Sequence, residues 1–238
     1  MTPYELAYLA AEPGLPVLHG QVRADLSSLI GRGEEPARLL DVGGRRSNYT
    51  IGLPARVTVL DLPRESDLQH ALNLGLTDEL QEHLRRRRSN VDEVVVQDMT
   101  RSTLPSASFD VAVAVEVIEH VPEDGLFVEQ LRRVLRPGGF AYLTTPNGDH
   151  LRDPAIDHVR HYRRTALEEL LRSAFDEVVV TWGIRLGEQR SRGLGLVQGP
   201  LHLPAMVLGN LRNRRESRHL AFEPHRTAHL FAIARVAS

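Results

Sequence analysis

The sequence predicts an α/β protein built on a mostly parallel sheet with helices on both faces. Three observations predict it. Short β-branched runs such as RVTVLD (56–61) and FDVAVAVEV (109–117) are apolar nearly throughout, the pattern of strands buried on both faces. These runs alternate with amphipathic helix-like segments. An acidic residue stands at or beside the carboxyl end of each of the first four: Asp41, Asp61, Asp98 and Glu116.

Taken in order, residues 1–32 read as one or two helices, with Tyr4, Leu6, Tyr8 and Leu9 on the first and Val22, Leu26, Leu29 and Ile30 on the second. The first strand is 37–43, closing on Asp and Gly, and the second is 56–61. Residues 67–88 are polar and helical in pattern. The third strand is 91–98 and the fourth 109–117. A helix over 123–135 is stopped by Pro137-Gly138-Gly139, and 140–145 forms the fifth strand. A helix over 164–174 leads to a sixth strand at 177–182, and 227–236 supplies a seventh. Between these last two lies an excursion, 183–226, rich in Gly and Arg, with an apolar stretch at 201–211. A structureless loop of that length is uncommon in a compact domain, so it is expected to contain a helix and to act as a lid. The whole chain, 1–238, reads as one domain: a helical cap (1–34), a cofactor-binding core (35–182), a lid or acceptor insertion (183–226) and a last strand (227–238).

Composition narrows the chemistry. The chain has 238 residues, a formal net charge of −2 and no cysteine, which removes thiol nucleophiles, disulfides and thiolate metal sites. All 29 basic residues are arginine, so Schiff-base chemistry and a lysine-bearing phosphate loop are excluded as well. No apolar run reaches the length of a membrane span, and the amino terminus lacks a basic stretch before an apolar one. A cytoplasmic protein is expected. The charge balance gives no reason to expect nucleic acid as a partner. The run Arg85–Arg88 reads as a solvated helix end, favoured there by the helix dipole.

In an open parallel sheet, ligands bind beyond the carboxyl ends of the strands. Gly43 and Gly44 permit a tight turn after the first strand, and Asp61 can accept both hydrogen bonds of a ribose diol. Asp98 can accept from an exocyclic amine, with Met99 packed on the ring. Together with LLDVGG (39–44), VLDL (59–62), QDMTRSTLPSASFDVAVAVEVIEHV (97–121) and LRRVLRPGGFAYLTTPNGD (131–149), these residues resemble the class I S-adenosylmethionine-dependent methyltransferases. The resemblance covers about 35–182 and implies a Rossmann-like seven-stranded sheet whose last strand is antiparallel. It implies that Asp41, Gly43 and Gly44 shape the methionine pocket, that Asp61 and Leu62 hold the ribose, and that Asp98 and Met99 flank the adenine. Glu116 falls at the cofactor edge. The usual loop carries three spaced glycines, but Arg45 and Ser47 occupy the later two positions. Arg45 either pairs with the methionyl carboxylate or points to solvent.

The acceptor end centres on Glu116, Glu119 and His120, whose spacings of three and four put them on one face if the backbone is helical there. The Glu-x-x-Glu-His pattern is similar to that of ubiquinone-pathway O-methyltransferases, where it binds a divalent metal, and to small-RNA terminal 2′-O-methyltransferases. The first likeness implies a Mg²⁺ or Mn²⁺ site of Glu116, Glu119, His120 and His161, with His158 the other member of the later pair. Without metal, Glu119 and His120 are the candidate catalytic pair, His120 as base. The reading is a methyltransferase acting on a small-molecule hydroxyl. The alternatives are an RNA-terminal or glycan O-methyltransferase and a non-catalytic binding module. Arg212, Arg214, Arg215, Arg218, His219 and His225 are candidates to meet an anionic acceptor. Acceptor identity and oligomeric state stay open.

Overall fold

The computed structural model describes residues 1–31, 33–65, 75–150, 157–185, 202–217 and 226–238. Two helices, α1 (Pro3–Ala11) and α2 (Val17–Ile30), precede the first strand, β1 (Ala37–Val42). Then come β2 (Ala55–Asp61), α3 (Asp78–Arg87), β3 (Val91–Val96), β4 (Phe109–Val115), α4 (Asp124–Val134) and β5 (Leu135–Pro146). The chain closes with α5 (Arg164–Arg172), β6 (Glu177–Arg185), α6 (His202–Ser217) and β7 (Thr227–Arg235). The strands form one sheet in the order β3-β2-β1-β4-β5-β7-β6. β1 pairs in parallel with β2 and β4, while β7 runs antiparallel to both β5 and β6. This is the Rossmann-like arrangement, with an antiparallel last strand, that the sequence implied.

Alternate residues of each central strand face opposite sides of the sheet, so each side must be covered. Leu39, Val57, Val59, Val111 and Val113 pack beneath Val22 and Leu26 of α2 and Leu84 of α3. Leu40, Leu60, Ala112, Ala114 and Leu143 pack beneath Phe127, Val128 and Leu131 of α4 and Leu167 and Leu171 of α5. The expectation of two-sided burial holds for β1, β2 and β4. It fails at β3, an edge of the sheet, where half of the residues are exposed.

Three elements differ from expectation. The helix read over 67–88 does not run through its middle. Leu76 makes a β-bridge with Pro63, and Thr77 caps a helix that starts only at Asp78. Residues 66–74 lie outside the described residues. Pro137-Gly138-Gly139 does not separate a helix from a strand but lies within β5: Phe109 pairs with Leu135 and Val111 with Phe140, so the intervening residues bulge from the ladder. The excursion after β6 does contain a helix, α6. Asn210 Nδ2 donates to the Gly14 carbonyl at 2.8 Å and Arg214 Nη2 to the Glu12 carbonyl at 3.1 Å, so α6 braces the amino-terminal cap. No described residue of α6 lines the cavity discussed below. Arg218, His219 and His225 lie outside the described residues. No described helix is long and apolar enough to cross a membrane.

Arg85, Arg86 and Arg87 are exposed, as a solvated helix end requires, but Arg88 is buried. Its Nη1 donates to the Ser47 carbonyl and its Nη2 to Thr50 Oγ1 at 2.5 Å, and Glu5 of α1 lies 3.9 Å from its Nε. Removing one partner of a buried charge pair leaves the other uncompensated. Arg88→Ala is therefore expected to cost about 3–5 kcal/mol of unfolding free energy, measured by denaturant titration, and Arg85→Ala within about 0.5 kcal/mol of nothing.

Candidate active site

The carboxyl ends of β1 and β4 adjoin, but their connections leave toward opposite edges of the sheet. A crevice opens at such a point. Here it is a cavity of ≈ 350 Å³ walled by Gly43, Arg45, Asp61, Leu62, Asp98 and Met99 on the cofactor side and by Glu116 and His120 beyond β4. That is the size of a small-molecule site.

The loop after β1 is built from within. Asp41 is fully buried and accepts from Tyr49 Oη at 2.6 Å and from Ser47 Oγ. Burial pushes its carboxyl up to about 6 against those two bonds. A Cβ on Gly44 would stand 2.5 Å from that carboxyl group, so only glycine lets the turn close over it. Gly43 has φ +72°, and a Cβ there would meet Val117 at 2.6 Å. Asp41 and Gly44 thus do not line the cavity; they hold the loop whose Gly43 and Arg45 do.

Asp61 stands at the tip of β2, with Oδ1 accepting from Leu62 N at 2.8 Å and Oδ2 from Arg45 Nη1 at 3.0 Å. Arg45 therefore points neither to solvent nor away from the site. Asp98 caps the short turn Met99–Arg101 through Thr100 N at 2.9 Å, which fixes its carboxylate at the cavity wall beside buried Met99. Two carboxylates that can accept hydrogen bonds and a thioether line one largely apolar cavity, a set of groups and a size that an adenosine moiety would fit.

Beyond β4 the geometry departs from the helical face expected of Glu116, Glu119 and His120. Glu116 has φ +54°, a strained value for a residue with a Cβ and one that persists where surrounding contacts over-determine it. The reversal turns it onto neighbouring strands: Thr144 Oγ1 donates to Oε1 at 2.9 Å, and His229 Nδ1 on β7 lies 3.2 Å from Oε2. Against the desolvation of burial, His229 and Thr144 hold Glu116 below the usual carboxylate range, and Glu116 in turn holds His229 above the usual imidazole range.

Glu119 and His120 sit on the next turn, Ile118–His120. The Glu119 backbone carbonyl accepts from Val159 N at 2.8 Å and so draws the 157–162 segment over the site. The closest set is then Glu119, His120 and His158, with one ligand-type atom of each within 4.8 Å of the others. His161 stands behind, its Nε2 2.8 Å from His158 Nδ1, and Glu116 is engaged with His229. His120 Nδ1 meets the Asp157 carbonyl at 2.9 Å, so Nε2 is the ring nitrogen not engaged by that contact. Glu119 is fully buried, and neither carboxylate oxygen makes a hydrogen bond of good geometry among the described residues, although the Thr145 hydroxyl approaches it. Burial first, and the neighbouring Glu116 second, push its carboxyl up to about 9. An orphaned buried carboxylate beside two imidazoles held by outer partners fits a divalent cation.

Three cavity or near-cavity groups were not singled out from sequence. His229 lies more than a hundred positions from Glu116, and its only signal is a polar residue in an apolar strand. Tyr49 bonds Asp41, and His19 of α2 lines the cavity with its ring edge-on to Tyr49 at 5.3 Å.

The Glu116–His229 pair has a pH signature. His229, raised above its ordinary 6.5, contributes stability that is complete below that value and fades as pH rises through the folded value. Glu116, lowered from 4.5, contributes stability that is complete above 4.5 and is lost as pH falls. His229→Gln is therefore expected to lower the unfolding free energy most between the ordinary carboxylate and imidazole values and progressively less as pH rises through the raised value of His229, measured as the difference in unfolding free energy between the two proteins across pH.

Residues 18–175 match the family model described as a methyltransferase domain. A probable S-adenosylmethionine-dependent methyltransferase of Mycolicibacterium smegmatis is 38% identical over 107 residues, 43% of this chain and 41% of that protein. A ubiquinone biosynthesis O-methyltransferase of Paraburkholderia phymatum is 33% identical over 117 residues, 46% of this chain and 44% of that protein. The chain thus spans less than half the length of these curated relatives in the matched region. Among solved structures, a SAM-dependent methyltransferase from Archaeoglobus fulgidus superposes with a TM-score of 0.57 at 14% identity, covering 91% of this chain and 94% of that one. The [4+2]-cyclase SpnF gives the same TM-score at 18% identity, covering 92% and 81%, so the fold alone accommodates more than one chemistry. With the family model spanning most of the chain and the sheet order in agreement, the chain belongs to the methyltransferase-domain family.

Proposed function

We propose that the protein transfers a methyl group from S-adenosylmethionine to a hydroxyl oxygen of a small molecule. The observation that carries this is the single cavity with Asp61, Asp98 and Met99 at one end and His120 at the other. Bound there, the cofactor supplies an electrophilic sulfonium methyl; the chain's own residues position and deprotonate. Asp61 accepts the ribose hydroxyls, Asp98 the adenine amine, and Met99 packs on the ring. Gly43 lets the β1 loop approach the ligand's amino-acid end. Glu116 marks the edge between cofactor and acceptor. His120, with Nδ1 engaged by the Asp157 carbonyl, presents Nε2 as the base that takes the acceptor proton, with Glu119 beside it. Nucleic acid is not the favoured acceptor, because Arg85–Arg87 are solvated and Arg88 is buried inside the fold.

One observation favours a metal-assisted form of this reaction. The buried Glu119 carboxyl, which makes no hydrogen bond of good geometry among the described residues, would gain a counter-charge if Mg²⁺ or Mn²⁺ were held by Glu119, His120 and His158, with His161 orienting His158. Such an ion would lower the pKa of an acceptor hydroxyl as a Lewis acid, with His120 then a ligand rather than the base. The O-methyltransferase named among the relatives supports oxygen as the acceptor atom.

Calorimetric titration of metal-stripped protein with S-adenosylhomocysteine tests the cofactor reading. Micromolar binding is expected, weakened by about 30-fold or more in Asp61→Ala, because a charge-assisted hydrogen-bonded contact is lost. Absence of binding by the wild type would leave the non-catalytic module as the better reading. Saturating Mn²⁺ is expected to raise the thermal midpoint of the wild type and to leave Glu119→Gln unmoved; equal shifts in both proteins would remove the metal from the proposal.

A further inference from the structure

His19 stands near the start of α2 and has no part in the chemistry assigned so far, yet its side chain lines the cavity. An imidazole carries two ring nitrogens, and each needs a hydrogen-bond partner where water is scarce. Among the described residues the His19 ring makes no hydrogen bond or ion pair; it meets Tyr49 edge-on at 5.3 Å. Its nitrogens are not among the sealed polar atoms of the interior, so the ring keeps its donor and acceptor capacity at the cavity wall. Burial holds His19 below the ordinary imidazole range, against the pull of Glu116 and Glu12. At neutral pH the ring is therefore uncharged and offers one N–H and one lone pair.

A well-anchored helix places this ring. Val22 and Leu26 bury α2 against the sheet, and Asp25 accepts from Tyr142 Oη of β5 at 2.6 Å. Beside His19, Gly20 lies against Arg214 of α6 and Glu12: a Cβ there would stand 2.6 Å from the Arg214 guanidinium and 2.8 Å from the Glu12 carboxylate. Side chains carried by packed helices hold their positions better than those on loops. The neighbours also say which part of the cavity His19 faces. Tyr49 donates to Asp41, the carboxylate beneath the β1 loop, whereas Asp98 and Met99 belong to the turn after β3, two strands from β1. Asp61, Asp98 and Glu116 give the cavity ample acceptors, so a ligand carboxylate entering on the β1 side depends on donors.

We propose that His19 is a cofactor-binding residue contributed by the amino-terminal cap, its N–H donating to the carboxylate at the amino-acid end of S-adenosylmethionine. This rests on the cofactor reading above. The cap then does more than cover the sheet. It supplies a group that reads the amino acid, while the strand-end acids read the adenosine.

The test compares S-adenosylhomocysteine with 5′-methylthioadenosine, which keeps the adenosine and the thioether and lacks the amino-acid end. Calorimetric titration of the full chain is done on the wild type, His19→Phe, His19→Ala and His19→Gln, with thermal melting to confirm that each variant folds. His19→Phe keeps a ring against Tyr49 but no nitrogen. It is expected to bind S-adenosylhomocysteine about 10-fold or more weakly, the worth of a hydrogen bond to a charged group, and methylthioadenosine within about twofold of the wild type. His19→Ala is expected to show the same selective loss and carries the comparison should the phenylalanine variant not fold. His19→Gln, which restores an N–H donor, is expected to recover part of the lost affinity. Equal weakening of both ligands, or no weakening of either, would overturn the role of His19 while leaving the cofactor reading intact. Failure of the wild type to bind either ligand would overturn the cofactor reading, and this inference with it.

Discussion

The cofactor end of this protein hangs on one buried carboxylate, Asp41, and the groups that converge on it. Ser47 and Tyr49 donate to it, and Gly44 presses against it without a side chain. Arg88 closes the arrangement from α3 by holding the Ser47 carbonyl, and it reaches α1 through Glu5. The strand tip, the loop after it, the helix before β3 and the amino-terminal cap are therefore tied by a single polar cluster in a largely apolar interior. A buried charge of this kind is costly unless several donors share it, and the loop conformation is what gathers them. The cavity wall is a by-product: once the turn is pinned from behind, its front presents Gly43 and Arg45.

A second electrostatic division shapes the acceptor end. Glu116 and Glu119 are neighbours in sequence, both buried from bulk water to differing degrees, yet their carboxyls shift in opposite directions. Glu116 has a cationic partner in His229 and a hydroxyl donor in Thr144, while Glu119, with only the Thr145 hydroxyl near it among the described residues, faces the charge of Glu116. Two titratable groups pushed apart by their surroundings are a signature of sites that move protons or hold ions. The backbone reversal at Glu116 creates the difference, because it sends one carboxylate to β7 and leaves the other to the imidazoles of His120 and His158.

The elements legible in the sequence are those set by local or periodic rules. Two-sided apolar runs identified β1, β2 and β4, because strand identity there follows from pattern alone. Where the rules depend on position within the sheet, the reading failed. β3 reads like the central strands but is an edge, and nothing in a short valine run states which neighbours it will have. The Glu116-x-x-Glu119-His120 spacing assumed one helical face; a left-handed residue breaks that phase, and its cause is contact with Thr144 and His229 from distant strands.

The sequence by itself thus determined the alternation of strands and helices, the family they belong to and the acids at the strand tips, all consequences of local hydrophobic period and short motifs. Tertiary structure alone decided that Arg88 is a buried tie rather than part of a solvated run, that Arg45 turns onto Asp61, and that His158 rather than His161 or Glu116 stands with Glu119 and His120. The physical reason is the same in each case: the direction of a charged side chain is set by the partner that compensates it, and those partners lie on elements that only folding brings together.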